Sequence, residues 1–195
     1  ETIAGTKVYA TFTPEKTPLR NSFRIARYLG HLLDADARAE QLVSRTEEAL
    51  ATLRHSRETA IRTCPVLIVN FVDERHVRVF ADGSLYDDVL KAAGIENAWQ
   101  RPTNYWGFGT APASALLEYP DAALVVVGPT PLPVQRILEP EDGRKAGDTL
   151  LDHLPAVEKG RLRILPPVWS FGGLAEAAEL ANGLTSANLP DCPHD

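Results

Sequence analysis

Two almost uninterrupted apolar segments constrain the fold of this chain more than any other feature. They are PVLIVNF (65–71) and ALVVVG (123–128), both rich in β-branched residues. A strand with one solvated face alternates apolar and polar residues, whereas a strand covered on both faces is apolar throughout. Each segment is far shorter than the roughly 20 residues that cross a bilayer. They therefore predict inner strands of a sheet that is covered by helices on both sides.

The elements around these two segments predict an α/β fold. Apolar residues recur at helical spacing from Leu19 to about Leu53, and the acidic residues at 34–36 indicate a break or restart within that stretch. Strands and helices then alternate, which is typical of a three-layer, Rossmann-like domain with a mostly parallel sheet. The other predicted elements are a strand without a local partner (7–13), a strand nearer an edge of the sheet (76–81), a helix capped by Ser84 (84–94), a last strand (161–166) and a closing helix (173–184).

Charge and motifs argue against several classes of function. The formal net charge is -6 and no basic stripe is present, so nucleic acid is not an expected partner. The sequence lacks GxGxxG, GxxxxGK[ST], GxSxG and HExxH, and its five histidines are scattered. We therefore expect neither an enzyme nor a metal site built from protein side chains. A cytosolic α/β enzyme whose site is not visible in the sequence stays open as the less favoured alternative.

Two aromatic clusters are the strongest candidates for a binding site. They are NYWGFGT (104–110) and PPVWSFGG (166–173), and we expect both to lie on loops next to the sheet. Loops after the carboxyl ends of parallel strands line the ligand crevice in such folds. Trp106 and Trp169 could equally be core residues that close the ends of the sheet. Glycines beside both tryptophans leave little bulk to cover the rings, which favours a binding surface.

The two cysteines, Cys64 and Cys192, allow one disulfide. They lie too far apart in sequence for a dithiol redox motif or a zinc-binding pattern. A bridge and two unpaired thiols are equally compatible with the sequence. A bridge would join the C-terminal region to the first core strand and would argue for an oxidising compartment.

Three segments of the chain resemble the ferric hydroxamate siderophore-binding proteins of bacterial ABC importers. They are LYDDVLKAAGIENAWQRPTNYWGFGT (85–110), LEYPDAALVVV (117–127) and GRLRILPPVWSFGG (160–173). The resemblance runs in order from about Leu19 to Leu184. It implies a solute-binding protein of the class III type, located in the periplasm or anchored at the cell surface as a lipoprotein.

The resemblance also implies a domain organisation. Proteins of this family have two lobes joined by a long helix, with the ligand in a shallow cleft between the lobes. Residues 1–18 would then be a remnant of an N-terminal lobe. The rest of that lobe and the signal segment would precede Glu1. The interlobe helix would occupy 19–54, with Gly30 to Leu53 as its main part, and a C-terminal α/β lobe 62–190 would be followed by a tail, 191–195.

The resemblance assigns the binding residues as well. Trp106 and Trp169 correspond to cleft-facing tryptophans, and Asn104 to the family's asparagine two places before the first of them, which is expected to make a polar contact with the ligand. Tyr105, between Asn104 and Trp106, is a further expected ligand-binding residue. Phe171 replaces a tyrosine and Phe108 replaces a serine, so the substitutions leave cobalamin, haem or another iron chelate open as alternative ligands.

The expected ligand is an iron(III)-hydroxamate siderophore. The siderophore itself chelates the iron, so we expect no cofactor and no metal ligand from the protein. A catecholate complex is strongly anionic and would require several Arg or Lys, whereas only Arg101 adjoins the two motifs.

The second expected partner is the membrane permease. In this family an acidic residue on each lobe meets arginines of the permease, and Ser114 occupies the matching position. Glu118 lies one turn further along a predicted helix and is the expected substitute.

Overall fold

A computed structural model describes residues 11–58, 64–139 and 149–192, together with the backbone of residues 2–3 and 6–7. The strands are β1 (Thr2–Ile3), β2 (Thr6–Lys7), β3 (Val66–Phe71), β4 (His76–Phe80), β5 (Phe108–Pro112), β6 (Ala123–Val127) and β7 (Leu162–Leu165). The helices are α1 (Pro18–Leu32), α2 (Asp36–Glu58), α3 (Leu85–Ala92), α4 (Leu132–Leu138), α5 (Pro155–Glu158) and α6 (Leu174–Ser186), with 3₁₀ helices at Ala113–Glu118 and Leu150–His153.

A five-stranded sheet forms the middle layer, with the strand order β5-β4-β3-β6-β7. β3 pairs in parallel with β6, and β6 with β7, while β4 is antiparallel to both of its neighbours. Four of the five strands therefore run in one direction, and β4 runs in the other. This arrangement confirms the predicted α/β fold with a mostly parallel sheet.

The two apolar segments are inner strands that contribute to a core on each face of the sheet. In β3, Ile68 packs in the core under α1, α2, α3 and α6, whereas Leu67 and Val69 pack in the core on the side of α4 and α5. β6 alternates in the same way, with Val125 on the first side and Val126 on the second. Since successive side chains of a strand point to opposite faces, only a doubly covered strand is apolar at every position.

The region predicted as one helix from 19 to 54 is two helices packed against each other. The chain turns at residues 33–35, where Asp34 has a φ of 50°, and Arg27 of α1 forms an ion pair with Glu40 of α2 at 3.0 Å. A Cβ atom at Gly30 would lie only 2.5 Å from the Cβ of Ala39, so glycine permits this close helix approach. The break indicated by the acidic residues at 34–36 is thus confirmed, and a continuous helix from Gly30 to Leu53 is wrong.

The strand predicted at 7–13 is also different in the structure. Lys7 belongs to β2, which pairs with β1 in a small antiparallel sheet, while residues 11–13 are bends and coil. Residues 8–10 lie outside the described residues. The predicted strand is therefore reduced to β2, and β2 has a local partner, β1.

The segment at 108–112 forms β5, an edge strand that the sequence did not indicate. Its residues, FGTAP, include glycine and proline, which are poor strand formers. Pairing with β4 over five residues, from His76 opposite Pro112 to Phe80 opposite Phe108, compensates for that weak propensity. Within the described part of the chain, no helix combines the length and the apolar character needed to cross a membrane.

Candidate functional site

Six aromatic rings from three separate segments form one connected surface, which we call the aromatic platform. The central ring is Phe171, whose centroid lies 5.5 Å from Trp106 and 5.8 Å from Trp169. Both tryptophans are largely open to solvent, with exposed fractions of 47% and 66%. Large apolar side chains are seldom left this exposed together unless they serve as a contact surface. The platform consists of Phe12, Tyr105, Trp106, Phe108, Trp169 and Phe171.

A tight turn before β5 holds Trp106 in place. The side-chain Oδ1 of Asn104 accepts hydrogen bonds from the backbone N–H groups of Trp106, at 2.9 Å, and Phe108, at 3.3 Å. Gly107 has a φ of 77°, and a Cβ there would lie 2.1 Å from the backbone nitrogen of Ser84. Asn104 therefore shapes the turn, and Gly107 lets the turn pack against the start of α3 instead of merely leaving the rings uncovered.

The second aromatic segment is anchored from below by a buried tyrosine. The Tyr86 hydroxyl on α3 donates a hydrogen bond to the carbonyl oxygen of Val168 at 2.6 Å. Burial raises the pKa of the Tyr86 hydroxyl, so the group stays a neutral donor. At the other end, the N–H of Gly173 donates to Glu176 of α6 at 2.7 Å. Trp169 and Phe171 are thus displayed on a short segment whose two ends are fixed.

The two segments come from opposite ends of the strands in the sheet. Residues 166–173 follow β7 directly, as expected for a loop after a strand's carboxyl end. Asn104 to Gly107 instead precede β5, and Phe108 lies within that strand, so the prediction that all of NYWGFGT is a loop is wrong. The rings nevertheless meet, because residues 166–171 return over the face covered by α3.

Phe12 belongs to the platform, although nothing near it in sequence singled it out. Its ring packs edge-on against Trp106 at 5.6 Å and Phe171 at 5.7 Å, and it is only 9% exposed. The Tyr105 hydroxyl donates to the backbone carbonyl of Phe12 at 3.0 Å. Phe12 thereby joins the N-terminal segment to both tryptophan-bearing segments. A single phenylalanine in an irregular stretch carries no local signal of such a role.

The charges near the platform differ from the sequence-based expectation. Arg101 stacks on Trp99 at 5.1 Å and forms an ion pair with Glu118, so its guanidinium is already engaged. The guanidinium that contacts the platform is that of Arg78, on β4, whose central carbon lies 5.6 Å from the centroid of Phe108.

Ser114 and Glu118 lie on the 3₁₀ helix Ala113–Glu118, which follows β5. A 3₁₀ helix has three residues per turn, so positions four apart differ by about 120° around its axis. The assumption that Glu118 lies one turn above Ser114 on the same face is therefore wrong. Ser114 instead lines a cavity of about 440 Å³ together with Glu74.

Cys64 and Cys192 form a disulfide in the structure, with their Cα atoms 5.0 Å apart. It joins a residue two positions before β3 to the C-terminal segment across 128 positions of sequence. Next to it, Arg57 of α2 donates to the carbonyl of Leu189 at 2.8 Å and pairs with Asp191 at 3.4 Å. Residues 191 and 192, the start of the predicted tail, are therefore attached to the domain, while 193–195 lie outside the described residues.

Both tryptophans of the platform are open to solvent. A cavity of about 720 Å³ lies elsewhere, between α2 and α6, and contains none of the platform rings. Among the residues that the structure describes, no group of three or more His, Cys, Asp or Glu side chains is placed to hold a metal ion. The arrangement suits a large ligand that lies across the rings.

Comparison with known proteins identifies the family. A family model with the description periplasmic binding protein matches residues 6–168 of this chain. The chain belongs to the periplasmic binding protein family. This is a family of solute-binding proteins and not of enzymes, and the match agrees with the resemblance drawn from the sequence.

Individual periplasmic binding proteins show the same similarity. The iron(3+)-hydroxamate-binding protein FhuD of Escherichia coli K12 is 27% identical over 181 residues, which are 90% of this chain and 57% of that protein. The solved structure of Vibrio cholerae FhuD with bound Fe3+-Desferal has a TM-score of 0.69 at 22% identity, over 89% of this chain and 63% of that one. A structure from the ABC-type Fe3+-hydroxamate transport system of Saccharomonospora viridis has a TM-score of 0.64 at 14% identity, over 86% of this chain and 55% of that one. The chain thus spans about 55–63% of the length of these relatives.

Proposed function

We propose that this chain forms the C-terminal half of a solute-binding protein that captures iron(III)-hydroxamate siderophores and delivers them to an ABC permease. The observation that carries the proposal is the convergence of Trp106, Trp169 and Phe171 on one exposed surface, although 63 residues separate the two tryptophans. A hydroxamate-binding relative of 27% identity supports the choice of ligand.

The chemistry of the platform suits such a ligand. A ferric trihydroxamate is a rounded, nearly neutral complex with an apolar linker surface and carbonyl-type acceptors. Rigid aromatic side chains bind such a surface through contact area with little loss of conformational entropy. The siderophore holds the iron, so the protein need supply no metal ligand and no cofactor.

The charge of the site argues against a catecholate ligand. Ferric catecholate complexes carry several negative charges and need a matching set of cations. Among the described residues, Arg78 is the guanidinium that stacks on a platform ring, while Arg101 is engaged by Glu118. A single guanidinium on the platform rings does not match the charge of such an anion.

We infer that the platform is one wall of the cleft and that a second lobe supplies the other. An exposed aromatic surface binds weakly on its own because most of the ligand would stay in water. The relatives are longer than this chain by an amount that accommodates another lobe. On this proposal the protein acts in the periplasm, or at the cell surface as a lipoprotein.

We further propose that Glu74 contributes to permease docking. Ser114 has no charge and Glu118 is paired with Arg101, so neither is well suited to meet an arginine of the permease. Glu74 is exposed on the β3–β4 turn and lines the same cavity as Ser114.

Tryptophan fluorescence of the full-length gene product tests the proposed ligand. Titration with a ferric trihydroxamate should quench the emission, and titration with a ferric catecholate or cobalamin should not. Trp106→Ala should weaken hydroxamate binding by about 1–3 kcal/mol, through the loss of aromatic contact area. Quenching by cobalamin or a catecholate, without quenching by any hydroxamate, would overturn the ligand assignment.

A further inference from the structure

We propose that Arg78 is a specificity-determining residue that makes the site favour hydroxamate siderophores carrying a peripheral carboxylate. This inference rests on the proposed function, because it concerns the same site. It adds a charge preference that the aromatic rings alone do not provide.

The pairing of β4 with β5 places Arg78 beside the platform. Phe80 lies opposite Phe108 and Arg78 lies opposite Thr110. Arg78 and Phe80 point to the same face of the sheet, because they are two residues apart on one strand. Phe80 packs in the core on the side of α3 and α6, which is also the side on which Phe171 contacts Phe108, at 6.3 Å. The central carbon of the Arg78 guanidinium lies over the same Phe108 ring, 5.6 Å from the ring centroid.

The guanidinium of Arg78 is available to a ligand. The side chain is exposed, and within the described residues it forms neither an ion pair nor a hydrogen bond. A cation–π contact engages the charge of a guanidinium and occupies no hydrogen-bond acceptor, so the N–H donors of Arg78 stay free for a ligand. Arg101 provides the contrast, since its guanidinium is already paired with the Glu118 carboxylate.

The chemistry of this arrangement selects one type of ligand. An arginine fork matches a carboxylate and can bind it through two parallel hydrogen bonds. The rings would hold the neutral ferric hydroxamate core, while Arg78 at the margin would meet a carboxylate on the periphery of the siderophore. A terminal ammonium at the same place would be repelled. Because Arg78 is exposed, the preference should be moderate and should weaken as salt is added.

Three ligands with one ferric hydroxamate core test this preference. Iron(III)-desferrioxamine with its free terminal amine is the cationic ligand, its N-acetyl derivative is neutral, and its N-succinyl derivative ends in a carboxylate. We expect the full-length gene product to bind the succinyl complex about 3- to 10-fold more tightly than the acetyl complex, and the amine complex most weakly. The preference should decline between about 0.05 and 0.5 M NaCl.

Variants then assign the preference to Arg78. Arg78→Ala should bind all three complexes within about twofold of one another, and Arg78→Glu should reverse the order. Arg136→Ala is the matched control, because Arg136 is exposed on α4, which covers the opposite face of the sheet. It should leave the order unchanged, and circular dichroism should show that every variant is folded.

The outcomes separate this inference from the proposed function. If neither these three complexes nor a ferrichrome-like trihydroxamate quenches the tryptophan fluorescence, hydroxamate binding itself is refuted. If all three bind but the wild-type protein shows no preference, or Arg78→Ala keeps the preference, the role of Arg78 is refuted while hydroxamate binding stands.

Discussion

Replacing Phe12 by alanine should weaken ligand binding even though Phe12 itself is almost inaccessible to a ligand. The ring is only 9% exposed and packs edge-on against Trp106 and Phe171. These two rings form the middle of the platform, and Phe171 is also the contact of Trp169. Without Phe12, the rings lose the support that fixes their orientation.

The contacts set the magnitude of the effect. Each edge-to-face pair is worth about 0.5–1.5 kcal/mol beyond area burial, so the two pairs contribute about 1–3 kcal/mol to the ordered platform. A fully enclosed Phe→Ala change costs about 3–5 kcal/mol, but Phe12 lies in an irregular surface segment that can yield locally. When only part of the molecules hold a binding-competent platform, the apparent Kd rises in proportion. If the whole of this contribution of about 1–3 kcal/mol is lost from the ordered platform, Kd for a ferric trihydroxamate rises by about 5- to 150-fold, and local yielding of the segment lowers that rise.

The assay combines affinity with the state of the tryptophans before ligand is added. Near-ultraviolet circular dichroism should lose tryptophan signal in Phe12→Ala, and acrylamide should quench the remaining fluorescence more strongly. Phe12→Leu keeps apolar bulk without the ring, and its Kd should fall between those of the wild-type protein and Phe12→Ala. Phe23→Ala is the matched control, because Phe23 is a partly buried ring on α1 that makes no ring contact with the platform among the described residues.

One result would refute this reasoning directly. If Phe12→Ala binds as tightly as the wild-type protein and its tryptophans are no more accessible to acrylamide, the platform is ordered without Phe12. A loss of affinity in Phe23→Ala as large as in Phe12→Ala would show that the effect is a general loss of stability.

Three further predictions concern charge, covalent linkage and docking. Burial raises the pKa of Asp88 to about 6, so the unfolded chain releases that proton at lower pH and stability falls as the pH rises from about 4 to 6. Asp88→Asn should remove this slope and raise the free energy of unfolding in urea at pH 7 by about 1–3 kcal/mol, and a loss of stability at pH 7 would contradict the argument. Replacing Cys64 and Cys192 together by alanine should lower that free energy by about 2–5 kcal/mol, and an unchanged urea midpoint would show that the bridge contributes nothing. Glu74→Ala should reduce ligand-stimulated ATPase activity of the reconstituted importer more than Glu118→Ala, and the opposite order would return the docking role to Glu118.

The parts of the fold that were predictable are those that local sequence determines. β3 and β6 are evident because a doubly covered strand is apolar at every position. α3 is evident because Ser84 and Asp87 have the spacing of a helix cap. In the structure Ser84 accepts the expected hydrogen bond from the N–H of Asp87, at 3.0 Å. The break at 34–36 was likewise visible in its acidic residues, although the family resemblance favoured one long helix.

The parts that were missed depend on contacts between distant segments. β5 has the sequence FGTAP and is a strand only because β4 pairs with it. Phe12 joins the platform through Trp106 and Phe171, which are 94 and 159 residues away in sequence. No window of local sequence contains such information, because the burial of one ring is decided by where the other segments run.

The position of Arg78, the proposed specificity residue, was only partly predictable from the sequence. The alternation in HVRVF already places Val77 and Val79 on one face and Arg78 with Phe80 on the other. The sequence did not predict that β5 pairs with β4, because the residues of β5 were expected to form a loop. The register that sets Phe80 opposite Phe108 brings the exposed Arg78 next to the aromatic cluster. The chemical preference of the site is thus decided by strand pairing, because the pairing brings the cation to the rings.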